Sequence, residues 1–365
     1  MKFSSSTEVI EALGTFDRLL ENRWDPLHNA RSTADSSTLP KLWQEMADIG
    51  LLALCISEND GGYGQDASAL AKTAQTLGAR LCHVPYISTI ACCVSVISAY
   101  GTPRQRAEWL PEITTGKRIW AFAHSFGDAP QVEVVKQHGD MKLHGRVDVV
   151  LDAPAADQLL ISATYEGNQV LVALPTDSSN LEIHAYGTID GRVAGDIQIS
   201  GALTNANNFV GGFDRGSDAL AHGIANGCIA LAGEAVGLME RLLSLTQDYL
   251  RVRVQFGQPL SQFQVLQHQA ADMLVALEQT RSITLYAAHL QGSPQAARSA
   301  SAAKAYAGTA ARLAANAAIQ LHGAMGMVDE TLAAHYAKRL ALLGKWLGTS
   351  SHHLNLRIAT DPEMS

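Results

Sequence analysis

Apolar and polar positions change period twice along the chain. Residues 42–49 place apolar side chains at helical spacing and stop at Gly50, and residues 67–77 and 103–109 do the same, so the first third predicts helices. Between the first two lies turn chemistry at residues 58–64. Three glycines in four residues there could cradle a phosphate, but they match neither the dinucleotide-binding nor the P-loop spacing, and a plain turn is expected. From residue 118 to about 210 the apolar runs shorten. Residues 120–124, 132–136, 141–143, 147–151, 158–163, 169–175 and 196–199 are rich in Val, Ile and Leu and are punctuated by Gly, Asp, Asn and Pro. Their spacing of roughly 8–12 residues predicts an all-β sandwich or barrel. Helical period returns at about residue 217, over residues 219–253, 261–290, 294–323 and 331–347, which predicts an antiparallel four-helix bundle. The third of these is crowded with Ala and Ser over residues 296–311, so backbones can approach closely there. The expected organisation is α+β: a helical domain at 1–117, a β-domain at 118–216 and a helical bundle at 217–365.

Composition narrows the function classes. The 365 residues carry a formal net charge of −8, are 47% hydrophobic, and are only 17% charged. That excludes a disordered chain and suggests surface buried in an oligomer. Mild acidity with scattered basic residues argues against a nucleic-acid partner. Cys55, Cys82, Cys92, Cys93 and Cys228 form no CxxC pair, so neither a disulfide framework nor a metal site is expected, and a reducing compartment is the simplest reading. The N-terminus lacks a signal-peptide pattern. The most apolar window, residues 81–99, contains His83, Pro85 and several hydroxyls, so a buried helix is expected rather than a membrane span. A cytoplasmic protein is expected.

Two segments carry chemistry. One is Arg253-Val254-Gln255-Phe256-Gly257-Gln258-Pro259-Leu260-Ser261-Gln262-Phe263-Gln264; the other is Gln320-Leu321-His322-Gly323-Ala324-Met325-Gly326. Together they resemble the acyl-CoA dehydrogenase family, whose order of helical domain, β-domain and bundle matches the one read above. The turn at residues 61–64 and the segment from Trp109 to Gly116 also sit where the family has similar residues. The resemblance implies FAD as cofactor. It implies that Arg253 and Gln264 reach the FAD of a neighbouring subunit, with Gln255 in the same segment and Phe256 near the adenosine half. Gln320, His322, Gly323 and Ala324 would lie against the same cofactor. Forked, charge-assisted hydrogen bonds make Arg a natural pyrophosphate ligand. Read alone, Arg253 would be a solvated helix-end arginine and His322 a packed histidine.

The departures from the family are equally specific. Its Thr-Glu-x-Gly-x-Gly-Ser-Asp stretch survives only in fragments at residues 124–131, and its Trp-Ile-Thr or Trp-Ile-Ser segment falls on Val149-Val150-Leu151. The carboxylate that removes the substrate α-proton falls on Leu347, or on Gly227 for a minority of members. Glu234 is the one weak candidate for a displaced base, against a plain polar-network role. An incomplete site beside an intact donor segment resembles the small, non-catalytic subunits of heteromeric acyl-CoA dehydrogenases, of the pimeloyl-CoA or steroid side-chain type. Residues 272–282 also look like that branch. The resemblance implies a larger partner subunit in an α2β2 heterotetramer, an acyl-CoA substrate, and an electron-transfer flavoprotein or similar acceptor. Two alternatives remain open: a homo-oligomeric flavoprotein with lyase-type chemistry, and a non-enzymatic acyl-CoA-binding paralogue.

Overall fold

A computed structural model describes residues 7–31, 38–126 and 132–359. The first region contains α1 (Thr7–Arg23), α2 (Pro26–Arg31), α3 (Thr38–Asp48), α4 (Ala67–Ala79), α5 (Ser95–Tyr100) and α6 (Pro103–Thr114). A π-helical segment, Ile87–Val94, runs directly into α5. Local chemistry sets the boundaries. Asp66 accepts from the Ser68 N–H at the start of α4, and Thr102 and Gln105 form a reciprocal capping box at the start of α6. The apolar window at residues 81–99 is this buried π-helical segment and its neighbours, and among the described residues no helix is long and apolar enough to cross a membrane.

The middle region contains β1 (Trp120–Ala123), β2 (Val132–Gln137), β3 (Asp140–Leu151), β4 (Gln158–Tyr165), β5 (Asn168–Pro175), β6 (Leu181–Gly187), β7 (Val193–Thr204) and β8 (Phe209–Val210). They form one eight-stranded sheet in the order β6-β7-β3-β2-β4-β5-β8, with β1 paired parallel to β4. The two apolar runs at 141–143 and 147–151 belong to the single strand β3, which pairs with β7 through register shifts after Leu143 and after Val147. β6 is a short edge strand with mostly exposed positions, only Leu181 and Ile183 packing against the core, and it was not among the expected strands.

The last region contains α7 (Gly216–Val252), α8 (Gln264–His289), α9 (Ala296–His322), α10 (Leu332–Leu343) and α11 (Ser350–Ala359), with a short ribbon, Val254–Gln255 against Gln258–Pro259, between α7 and α8. α7 is the central element, packing on α4, α8, α9 and α10. Its approach to α4 is very close. A Cβ at Gly233 would land on the Ala71 carbonyl and one at Gly237 on the Gln75 carbonyl, so glycine is required at both positions.

One ion-pair cluster ties the regions together. Arg339 of α10 donates through Nε and Nη2 to both oxygens of Glu234 of α7, at 2.8 and 2.7 Å, and through Nη1 to Asp190 of the β6–β7 turn at 3.0 Å. All three side chains are buried. Beside them Arg192 bonds Asp152 at 2.8 Å and lies over the Trp346 ring. Burial alone would raise the Asp190 carboxyl, but Arg339, Arg192 and the Thr188 hydroxyl overcome this and hold it at about 2. Its contribution to stability is therefore present above the ordinary carboxylate range and is lost as pH falls from about 4 towards 2.

Arg339→Met should leave Glu234 and Asp190 buried without a counter-ion and cost roughly 3–5 kcal/mol. Urea unfolding at pH 7 checks this; a loss under about 1 kcal/mol would place the cluster among weak surface pairs.

Candidate functional site

The segments singled out by the family resemblance fall in two places: one end of the helical bundle, and a pocket at the seam between the β-domain and α10. The donor segment collects at one end of the bundle. α7 and α9 both end there, and the Tyr249 and His322 rings stack at 4.6 Å between them. Arg253 caps α7, donates its N–H to the Tyr249 carbonyl and exposes its side chain. Gln264, the first residue of α8, and Gln320, in the last turn of α9, are exposed as well. Phe256 is 91% exposed at φ +51°, touching Phe263 edge-on, and Gln255 donates to the Val254 carbonyl. Gly323 adopts φ +60° with open space where a side chain would stand, and Ala324 beside it is exposed. His322 lies at the same end, with its ring against Tyr249 and its Nδ1 2.9 Å from the Ala318 carbonyl of its own helix.

The seam pocket lies where the β-domain meets α10 and the following turn. It has a volume of about 190 Å³ and is lined by Phe122, His124, Phe126, residues 149–151 and Trp346, among others. Residues 127–131, the rest of the degraded glycine-rich stretch, lie outside the described residues. Val149 holds φ +55° at the β3 bulge with its side chain 58% exposed, a strained conformation for a β-branched residue that costs of order 1–3 kcal/mol. The Val149 N–H is bonded to Asp196 Oδ1 at 2.9 Å. That bond, with support from Tyr186 and Arg146, holds the Asp196 carboxyl below its ordinary range.

The two expected base positions meet. A Cβ at Gly227 would stand 2.5 Å from Leu347 Cδ1 and 2.6 Å from Cys92 Sγ. Leu347 is 3% exposed and closes over Gly227. It sits in a turn with two consecutive left-handed residues, Leu347 at φ +53° and Gly348 at φ +93°. His353 Nε2 lies 2.7 Å from the Leu347 carbonyl, and the buried Lys304 donates to the Gly348 carbonyl at 2.9 Å. Burial pushes Lys304 down to about 8. Sequence reasoning missed both supports; the only hint was one lysine inside the Ala- and Ser-rich stretch of α9. Glu234, the displaced-base candidate, has both oxygens engaged by Arg339 and matches the polar-network role instead. Cys228, 3.8 Å from His353 Nε2, is pushed up to about 12 by burial and is an inert thiol.

Residues 7–117 match the model of the acyl-CoA dehydrogenase N-terminal domain, and residues 214–359 match that of the C-terminal domain. The chain belongs to the acyl-CoA dehydrogenase family. Its relatives include the probable acyl-CoA dehydrogenase YngJ of Bacillus subtilis, 26% identical over 79% of this chain and 80% of that one. The fold is that of the ChsE4–ChsE5 complex from Mycobacterium tuberculosis, with TM-score 0.91, 22% identity and coverage of 99% and 100%. The Tcur3481–Tcur3483 steroid ACAD superposes with TM-score 0.87, 26% identity and 96% coverage of both chains.

Acyl-CoA dehydrogenases are FAD-dependent oxidoreductases that oxidise acyl-CoA thioesters. The residues of this chain fit that cofactor unevenly. Arg253, Gln264 and the open backbone at Gly323 suit a phosphate-bearing ligand. At residues 149–151 the seam pocket lacks the groups that the family resemblance leads one to expect for a flavin ring. Residues 149–151 offer no hydroxyl or indole, the Val149 N–H is taken by Asp196, and the Thr188 hydroxyl is taken by Asp190.

Burial holds His83 at about 3, with Arg192 adding to the effect, and holds His124 and His353 at about 4. Each is neutral in the fold and would titrate near 6.5 when unfolded, so the unfolded chain binds more protons below that value. Stability should therefore fall steadily as pH drops from about 6.5 towards 4. Urea midpoints at pH 7.5, 6 and 5 check this; a flat profile would mean these rings are solvated.

Proposed function

We propose that this chain is the non-catalytic subunit of a heteromeric acyl-CoA dehydrogenase, lending Arg253, Gln255, Phe256, Gln264, Gln320, Gly323 and Ala324 to an FAD site completed by a larger partner. The observation that carries this reading is Leu347 packed on Gly227 and Cys92, which leaves no carboxylate at either base position. The donor end supports it. Arg253 and Gln264 project away from the fold, and Val252 and Phe256 beside them are 76% and 91% exposed. Apolar exposure on that scale around free polar donors suits a surface covered by another chain. The paired composition of the ChsE4–ChsE5 complex points the same way, as does that of the Tcur3481–Tcur3483 steroid ACAD.

In the proposed α2β2 assembly the domains at 1–117, 118–216 and 217–365 keep their expected boundaries. The partner supplies the base and the pocket for the flavin ring. FAD, when bound there, would supply the acceptor for the hydride of the substrate β-carbon, with an electron-transfer flavoprotein or similar acceptor as the further electron partner. This chain binds and orients the cofactor and moves no proton. A cytoplasmic location suits the five free thiols.

Produced alone, the chain should hold well under one FAD per chain. In the complex with its partner, Arg253→Ala should weaken FAD binding by roughly 10- to 150-fold, as loss of a charged hydrogen bond of about 1.5–3 kcal/mol requires. Flavin absorbance per complex after gel filtration, with thermal unfolding as a folding control, measures both. A fully flavinated homo-oligomer would overturn the heteromer reading and favour lyase-type chemistry. Unchanged flavin content in Arg253→Ala would make that residue an ordinary helix-end arginine.

A further inference from the structure

The two ring nitrogens of His322 are in different situations. Nδ1 lies 2.9 Å from the Ala318 carbonyl, one helical turn back. A carbonyl oxygen only accepts, so the proton sits on Nδ1 and is donated there. Burial lowers the imidazole below its ordinary range, so the ring is neutral at pH 7. Nε2 is left as a bare acceptor. The residue is only 7% exposed, yet Nε2 has no partner among the described residues and is not closed off from solvent. An open acceptor on a ring otherwise packed against Tyr249 calls for a donor from outside the chain.

The surroundings narrow what that donor is. His322 ends α9, and Gly323 follows it with open space where a side chain would stand. Arg253 lies one turn beyond Tyr249, so the stacked pair ties the cation of α7 and the acceptor of α9 to one end of the bundle. A phosphate oxygen suits Arg253 and is repelled by a bare imidazole nitrogen, so the two side chains must take different parts of one ligand. The ribbon between α7 and α8 adds an aromatic surface. Its turn holds both Phe256 and Gly257 in the left-handed region, at φ +51° and +81°, and leaves the Phe256 ring 91% exposed. A phenylalanine kept in a strained conformation with its ring in solvent suits stacking on a flat base. Pyrophosphate, base and a hydrogen-bond donor together describe a nucleoside diphosphate.

We propose that His322 Nε2 accepts a hydrogen bond from the adenosine half of FAD, given by a ribose hydroxyl or by the adenine amino group, while Arg253 takes the pyrophosphate. His322 is thereby the residue that reads the nucleoside, and it favours FAD over FMN, which has none. The inference rests on the FAD site proposed above and adds which group of the cofactor this side chain recognises.

The test uses whichever assembly retains FAD: the complex with the larger partner or, should the heteromer reading fail, a flavinated homo-oligomer. The two failures are thus told apart. Affinity is measured by titrating flavin back into the stripped protein and following the quenching of flavin fluorescence. His322→Phe keeps a ring for Tyr249 and removes the acceptor, and should weaken FAD binding roughly two- to tenfold, the loss of one hydrogen bond. FMN affinity should be the same in variant and wild type. Analogues locate the donor: etheno-adenine FAD lacks the amino group, and FAD built on 2′- or 3′-deoxyadenosine lacks one hydroxyl. One of them should lose the same roughly two- to tenfold in the wild type and nothing further in His322→Phe, a coupling that a purely structural role does not produce. Circular dichroism confirms folding, and His322→Leu repeats the cycle should phenylalanine disturb the end of α9. Undiminished FAD affinity in the folded variants, full affinity for all the analogues, or losses that add rather than coincide would each overturn the proposal.

Discussion

The buried guanidinium of Arg339 is the constraint on which the rest of the architecture hangs. A fully buried cation must have carboxylates in fixed positions, and it draws them from α7 and from the β6–β7 turn. That fixes α10 against both. α7 in turn is locked to α4 by the glycine approaches at Gly233 and Gly237, so the N-terminal helices share the same frame. Arg192 extends the cluster to Asp152 and Trp346 at the edge of the seam pocket. The pocket walls are therefore placed by electrostatics that have no part in chemistry.

Most of the fold was legible because its period is. α4, α7, α8 and α9 present long apolar stripes, and the sheet strands break at Gly, Asp and Pro. Three features were hidden. β6 is short, lies at the sheet edge, and packs only Leu181 and Ile183 against the core. β3 reads as two strands because its bulge interrupts the pattern at the Val147–Val150 shift. α10 ends at Leu343 with Gly344 as its C-cap, and residues 344–347 continue as turns although their hydrophobic spacing reads as helix.

The candidate site divides in the same way. The donor segment was readable as a motif because Arg, Gln and Gly types at fixed offsets serve direct contacts. Placing the absent base on both Leu347 and Gly227 came from two separate alignments, and the structure joins them in one contact. Glu234 shows the limit of such reading. One turn of helix says nothing about its partner, because Arg339 lies 105 residues away in sequence. The Lys304 and His353 bonds to the turn carbonyls are equally non-local.

The contact between Leu347 and Gly227 also couples two positions 120 residues apart in sequence. The turn that carries Leu347 is pinned at two carbonyls, so its geometry does not depend on the side chain it presents. Returning a carboxylate at position 347 alone would press a charge into the thiol- and glycine-lined seam beside Cys92, and returning one at position 227 would collide with the leucine. Position 227 is thus closed by Leu347, while position 347 is constrained by burial, so the two positions are not independent of each other.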